Sequence, residues 1–363
     1  MRFVLLPILL PALLPVLLWT VPAPAQWQMQ QSHTTASLRG IAAVPAATWA
    51  ATIAWASGTG GTVLRTTDGG DHWTTCAIPP GAATLDFRGI QAWDAKTAIV
   101  MSSGPGDQSR LYKTTDGCRS WKLLFTNPDK AGFWDTVNAA DQKNILILGD
   151  PVNGQFVIRK SDDSGQTWSM QPAAPSRADE GAFAASNSSL LMNWIHGPAL
   201  FGTGSPQGAR VFVQQDASAS PAPLWTSLDL PMFASGKGAG IFSLGHRGPR
   251  RLVAVGGDYT QPNATIGTAA YSSNGGKAWL ASTTPPTGYR SSVAYDEAAK
   301  AFIAVGPNGT DISFDDGKTF RPLKPGKEDA PGSDRDWNAL SLPFVVGPKG
   351  RIGKLEPAAL SSK

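Results

Sequence analysis

Apolar positions along the chain come in short runs separated by polar clusters rich in Gly, Asp, Asn, Ser and Thr. Thr62-Val63-Leu64-Arg65, Arg110-Leu111-Tyr112-Lys113 and Phe156-Val157-Ile158-Arg159 each lead into such a cluster. A second kind of run closes on glycine: Ile147-Leu148-Gly149, Ala254-Val255-Gly256, Ala304-Val305-Gly306 and Val345-Val346-Gly347. Runs this short, bounded by turn residues, predict β-strands joined by tight turns, and the chain reads as all-β.

The polar clusters repeat one another. Thr66-Thr67-Asp68-Gly69-Gly70-Asp71-His72-Trp73, Thr114 to Trp121, Ser161 to Trp168, Ser272 to Trp279 and Ser313 to Phe320 share the form [ST]-x-[DN]-x-G-x-x-[WF], with Cys118 in the glycine place once. The acidic or amide residue (Asp68, Asp116, Asp163, Asn274, Asp315) can accept backbone N–H bonds within its own turn, and glycine supplies positive φ. The closing aromatic (Trp73, Trp121, Trp168, Trp279, Phe320) is expected to tuck into an apolar layer. These octamers resemble the Asp-box, or bacterial neuraminidase repeat, of β-propellers. That repeat occurs in sialidases, xyloglucan hydrolases, sorting receptors and photosystem II assembly factors. The run Gly60 to Gly70 most resembles the assembly-factor-like group.

Box starts are separated by 48, 47, 111 and 41 residues, so the third interval holds a blade without a box. Glu180 to Leu228 is its candidate, with Ala209 to Val213 as a strand and Trp225 in the aromatic place. A further group, Trp337 to Ser341, Pro343 to Gly347 and Arg351 to Glu356, lacks a fourth strand that Trp27 to Thr34 can supply. The expectation is one seven-bladed β-propeller domain, 26–363, of four-stranded antiparallel blades closed by N- and C-terminal strands, in preference to six or eight blades. Its blades span roughly 38–80, 85–126, 132–172, 179–230, 236–283, 288–324 and 335–358 with 26–34.

Aligned through their boxes, the blades place a polar residue near the start of each inner strand: Arg39, Arg88, Asp135, Glu180, Lys237, Arg290 and Asp336. Tyr289, Trp134 and Trp337 lie beside them. Inner strands line a propeller's channel, so these side chains are expected to converge on one mouth, either as a binding site for a charged ligand or as a self-neutralising ring.

Residues 1–25 read as a secretory signal: Arg2, an apolar stretch from Val4 to Trp19, and Ala23-Pro24-Ala25 before Gln26. Pro7, Pro11 and Pro15 argue against a retained spanning helix, no later segment is long and apolar enough to span, and no Cys lies near the cleavage point for lipid attachment. A secreted or periplasmic protein follows, in which the two cysteines, Cys76 and Cys118, either pair or remain a buried free couple. With 42% hydrophobic and 16% charged residues, 13 Trp and a net charge of +4, the chain is globular and carries no nucleic-acid signature. His33, His72, His196 and His246 form no cluster, and neither a metal nor a cofactor is expected.

Two functions remain. The first is a non-catalytic exported propeller, expected as a monomer, whose axial face binds a protein, peptide or anionic glycan. The second is a sialidase-like or other glycoside hydrolase, with Arg39, Arg88 and Arg290 on a substrate carboxylate and Tyr289, Glu180 and Asp135 as reacting groups. The Arg-Ile-Pro signature of sialidases is absent, Arg39-Gly40-Ile41 and Arg88-Gly89-Ile90 being its nearest approximations, so the binding reading is preferred. Serine-hydrolase, zinc-protease and phosphate-loop motifs are missing as well.

Overall fold

The computed structural model describes residues 26–45, 52–172, 175–192, 198–215, 225–326, 329–356 and 360. The expected export segment, 1–25, lies outside the described residues. Seven antiparallel four-stranded sheets form a β-propeller. Blade 1 runs outward from Leu38–Ala43 to Thr74–Thr75, blade 2 from Phe87–Ala92 to Lys122–Thr126, and blade 3 from Trp134–Ala139 to Ser169–Met170. Blade 5 begins on Ala239–Arg247 and blade 6 on Ser292–Asp296.

Blade 4, the one without a box, is the sheet from Leu190–Leu191 to Trp225–Leu230. Blade 7 takes three strands from the C-terminal region and its outermost from Trp27–Gln30, which pairs Trp27 with Leu355 and Gln30 with Ile352. Two distant chain segments thereby share one sheet, which closes the ring.

All five boxes fold alike. In each, the leading hydroxyl donates to the Asp or Asn and accepts an N–H four residues on; Thr66 does so with Asp68 (2.8 Å) and Gly70 (3.0 Å), Ser313 with Asp315 and Gly317 (both 2.9 Å). The acidic residue then accepts a second N–H, as Asp163 does from Thr167 at 2.9 Å. The fourth and fifth positions both have positive φ, 77° and 96° at Gly69 and Gly70. Cys118 occupies that fifth position at φ 66° and is disulfide-bonded to Cys76, tying blade 2's box to the connection leaving blade 1.

Those hairpins deliver their aromatics to the seams. Seven buried clusters occur, one between each pair of neighbouring blades. Trp73 meets Phe344 of blade 7 edge-on at 5.7 Å, and Trp168 stacks on Phe125 of blade 2 at 5.2 Å. Where no box exists, Trp225 and Trp27 fill the place; Trp27 also donates its indole N–H to Thr310 of blade 6. Removing one such ring would cost about 3–5 kcal/mol.

Candidate functional site at the upper channel mouth

The inner strands all begin at one mouth of the channel, called the upper mouth below. In blades 1, 2, 3 and 5 the pairing register shifts there. Leu38 faces Gly58 but Gly40 faces Ser57; Phe87 and Gly89, Trp134 and Thr136, and Ile241 and Ser243 behave likewise. The skipped residues are Arg39, Arg88, Asp135 and Phe242. A bulge leaves its extra residue out of the ladder and re-aims the side chain, here toward the axis.

Arg39 and Arg88 flank one carboxylate. Asp86 accepts from Arg88 Nε at 2.8 Å and lies 3.7 Å from Arg39 Nη2, and all three side chains are about a quarter exposed (30%, 27% and 23%). Two cations against one anion leave a positive surplus facing solvent. Burial, then the charge of Arg88, weaken Arg39's hold on its proton, with Asp86 and Tyr289 opposing.

Behind Arg88 lie two acids. Asp135 is buried, and desolvation followed by repulsion from Asp150 pushes its carboxyl well above the usual range, Arg88 opposing. Burial raises Asp150 to about 6, against the N–H of Ala182 that it accepts at 3.0 Å.

An aromatic wall completes the mouth. Phe183 stacks on Phe242 at 3.7 Å, and Tyr289 and Tyr259 meet Phe242 edge-on at 4.7 and 6.3 Å. Tyr289 is buried, which raises its hydroxyl pKa, and Arg39 partly counteracts this. Phe183 is half-buried and Tyr259 is 55% exposed, so the wall has an outer face.

Below this mouth the channel is closed by residues 182–189 of blade 4. Asn187 accepts from Val137 N (2.9 Å) and donates to Ile90 O (3.1 Å), and Arg88 Nη1 donates to Ala184 O. Hydroxyls continue across the axis: Ser188 lies 2.7 Å from Ser243 Oγ, and Ser186 donates to Ser291 O at 2.7 Å. One segment thus joins blades 2, 3, 5 and 6 to blade 4.

Of the expected ring, Arg39, Arg88, Asp135 and Tyr289 meet at this mouth. Arg290 does not. Its amide bonds Gly256 O of the preceding blade as Leu38 bonds Gly347 and Trp337 bonds Gly306, so it takes the seam position and Ser291 takes the channel position. There it is fully buried and ion-paired with Asp311, while its remaining donors go to Thr287, Asn308 and Tyr289 O.

Glu180 is likewise sequestered: it accepts from Arg210 Nε (2.8 Å), Thr203 Oγ1 (2.7 Å) and Arg177 N (2.8 Å). Its ionised form is favoured by these bonds, which outweigh the desolvation that is the largest single influence. Trp134 stacks on Phe125 inside a seam and Trp337 lies in another, both away from the mouth.

Lys237 is exposed on the connection ahead of blade 5, where Phe242 holds the equivalent inner position. Asp336 is exposed at φ 62° beside His33 and Lys349, in a hollow at the ring closure. Asp86, Asp150, Phe183, Phe242 and Tyr259 join the mouth through contacts that the box alignment does not mark. The repeated Arg-Gly-Ile of blades 1 and 2, carried forward as Phe242-Ser243-Leu244 and Ser291-Ser292-Val293, was the signal for the correct register.

No protein-family model matches the chain. It is similar to the photosystem II assembly lipoprotein Ycf48 of Picosynechococcus sp., 26% identical over 304 residues covering 72% of this chain and 80% of that protein. Among solved structures it resembles Ycf48 bound to a D1 peptide (TM-score 0.61, 16% identity, 93% of this chain and 99% of that one). It also resembles Ycf48 from Cyanidioschyzon merolae (0.61, 17%, 92% and 99%). A GH74 enzyme from Niastella koreensis matches over 77% of this chain but 45% of its own (0.51, 17% identity). At these structural identities the likeness speaks for the fold.

Proposed function

We propose that this protein is an exported, non-catalytic propeller that captures an acidic segment of another protein at the upper mouth, in the manner of an assembly factor. The observation that carries the reading is the Arg39–Asp86–Arg88 group, two solvent-facing guanidinium groups sharing one carboxylate beside an aromatic wall. Guanidinium groups suit carboxylates, and Phe183 with Tyr259 offers apolar surface to neighbouring side chains. A peptide is favoured over an anionic glycan because one structural neighbour is recorded with a D1 peptide bound.

Hydrolysis finds no support in the geometry. Glu180, the expected assistant of Tyr289, has its oxygens taken by Arg210, Thr203 and Arg177, and among the described residues no carboxylate hydrogen-bonds the Tyr289 hydroxyl. Asp135 is too deeply buried to touch a substrate.

Export is supported by the signal-like residues 1–25 and by Gln26, whose backbone nitrogen lies 2.9 Å from Asp329 Oδ1, where a newly freed ammonium would find a counter-charge. Sequencing the mature N-terminus should return Gln26. Among the described residues no helix is long and apolar enough to cross a membrane.

The test of binding is fluorescence anisotropy with a labelled peptide ending in an aromatic residue and a free carboxylate. Arg39→Ala and Arg88→Ala should each weaken capture about tenfold, the loss of one charge-assisted hydrogen bond, and added salt should weaken it further. Equal affinity for the free-acid and amidated peptides, unmoved by either substitution, would refute the reading.

A further inference from the structure

The opposite end of the channel carries a second hollow, of about 650 Å³, which the peptide reading does not use. Its walls come from five blades: Val44 of blade 1, Leu191 of blade 4, Leu244 of blade 5, Val293 of blade 6 and Leu342 of blade 7. The same five residues also pack into the apolar seams between neighbouring blades.

The polar groups in the lining are few and uneven in charge. Asp296 and Glu297 supply two carboxylates; His246, Tyr295 and Ser341 are the others. Ser341 is occupied by the N–H of Ala43 (3.0 Å), and one oxygen of Asp296 by that of Ala299 (2.8 Å). Glu297 is exposed. His246 is half-buried, and desolvation lowers its pKa against the pull of Glu297. Residues 182–189 and their hydroxyl contacts separate this hollow from the upper mouth.

We infer that the lower mouth is an independent binding site for a small apolar molecule carrying one positive charge, such as a protonated aryl- or alkylamine. Its size falls in the range of small-ligand pockets, which pair apolar walls with a few orienting polar groups. Among the described lining residues the carboxylates of Asp296 and Glu297 set the charge, so the complementary head is a cation. A protein partner fits less well. It would need an apolar rim around the hollow, and among the described residues the exposed large hydrophobic ones, such as Ile78, Leu123, Ile266 and Phe314, lie elsewhere.

The experiment compares three probes of one shape by calorimetric titration at pH 7: 2-phenylethylamine, 2-phenylethanol and phenylacetate. The amine should bind most tightly and phenylacetate least. Ala294→Trp, which fills the hollow, should abolish binding of the amine and the alcohol. Glu297→Gln should weaken the amine about threefold, as expected for a solvent-exposed charge pair, and leave the alcohol unchanged.

Should Ala294→Trp fail to fold, the probe order and Glu297→Gln still decide. Equal binding of the three probes, no saturable binding, or amine binding indifferent to Glu297→Gln would overturn the site. Saturating amine should not displace the acidic peptide, and Arg88→Ala should leave amine binding intact. Displacement would show that the amine occupies the upper mouth and would overturn the inference while leaving the peptide reading standing.

Discussion

At the scale of single residues, the same side-chain chemistry has opposite consequences according to what surrounds it. Hydrogen bonds from Ser120 and Thr167 hold the box acids Asp116 and Asp163 down at about 2. Their stabilisation is present above the ordinary carboxylate range and is lost as pH falls toward 2. Asp150 is the reverse case, since burial raises it to about 6. Between about pH 4 and 6 the folded protein holds a proton that the unfolded chain has released, so its contribution to stability falls as pH rises through that window, by roughly 2–3 kcal/mol.

Asp150→Asn should flatten that decline, as read from urea titrations at pH 4 and 7. Ionisation of Asp150 also places negative charge behind Arg88, so capture of an acidic peptide should weaken from pH 5 to 7 in the native protein and less so in the Asn variant. Arg290 is fully buried against Asp311. Removing it leaves Asp311 buried and unpaired, so Arg290→Ala should cost about 3–5 kcal/mol in chemical denaturation, with peptide affinity per folded molecule unchanged.

Among elements, the bulged inner strands and the segment that plugs the channel act together. Gly89 follows the bulged Arg88, and a Cβ there would stand 2.8 Å from Val137 Cγ1 and 3.1 Å from Asn187 Oδ1. Only glycine lets blade 2 sit against both blade 3 and the plug. Asn187 in turn adopts φ 62° and satisfies backbone groups on two blades. Asn187→Ala should leave the Val137 N–H and the Ile90 carbonyl unpaired, at about 1–3 kcal/mol each. Because the plug also holds Ala184 against Arg88, the variant should lose peptide affinity at temperatures where its melting curve still shows a folded protein.

For the molecule as a whole, stability depends on keeping a ring closed. The blades pack through seven seams, and one is completed by Trp27 from the opposite end of the sequence. Deleting residues 26–30 should strip that seam and lower the melting temperature far more than removing an equal length of surface loop. The Cys76–Cys118 bridge spans 42 residues and couples blades 1 and 2. Replacing both cysteines with serine should cost about 3–4 kcal/mol if loop-closure entropy dominates, measured as a shift in the denaturant midpoint with the peptide site intact.

Sequence by itself determined the features that local chemistry writes. Thr66, Asp68 and Gly70 form a box hairpin from bonds within five residues of chain, and the spacing of five such hairpins, with Trp225 marking a boxless blade and Trp27 to Thr34 completing the C-terminal strand group, counts seven blades. Tertiary structure decided which side chains reach the mouth. Arg88 faces the axis and Arg290 a seam because they sit one register position apart, and one step along a strand turns a side chain to the opposite face. Glu180 is claimed by Arg210, and Asn187 crosses the channel, through contacts between residues far apart in the chain, which leave no periodic trace in it.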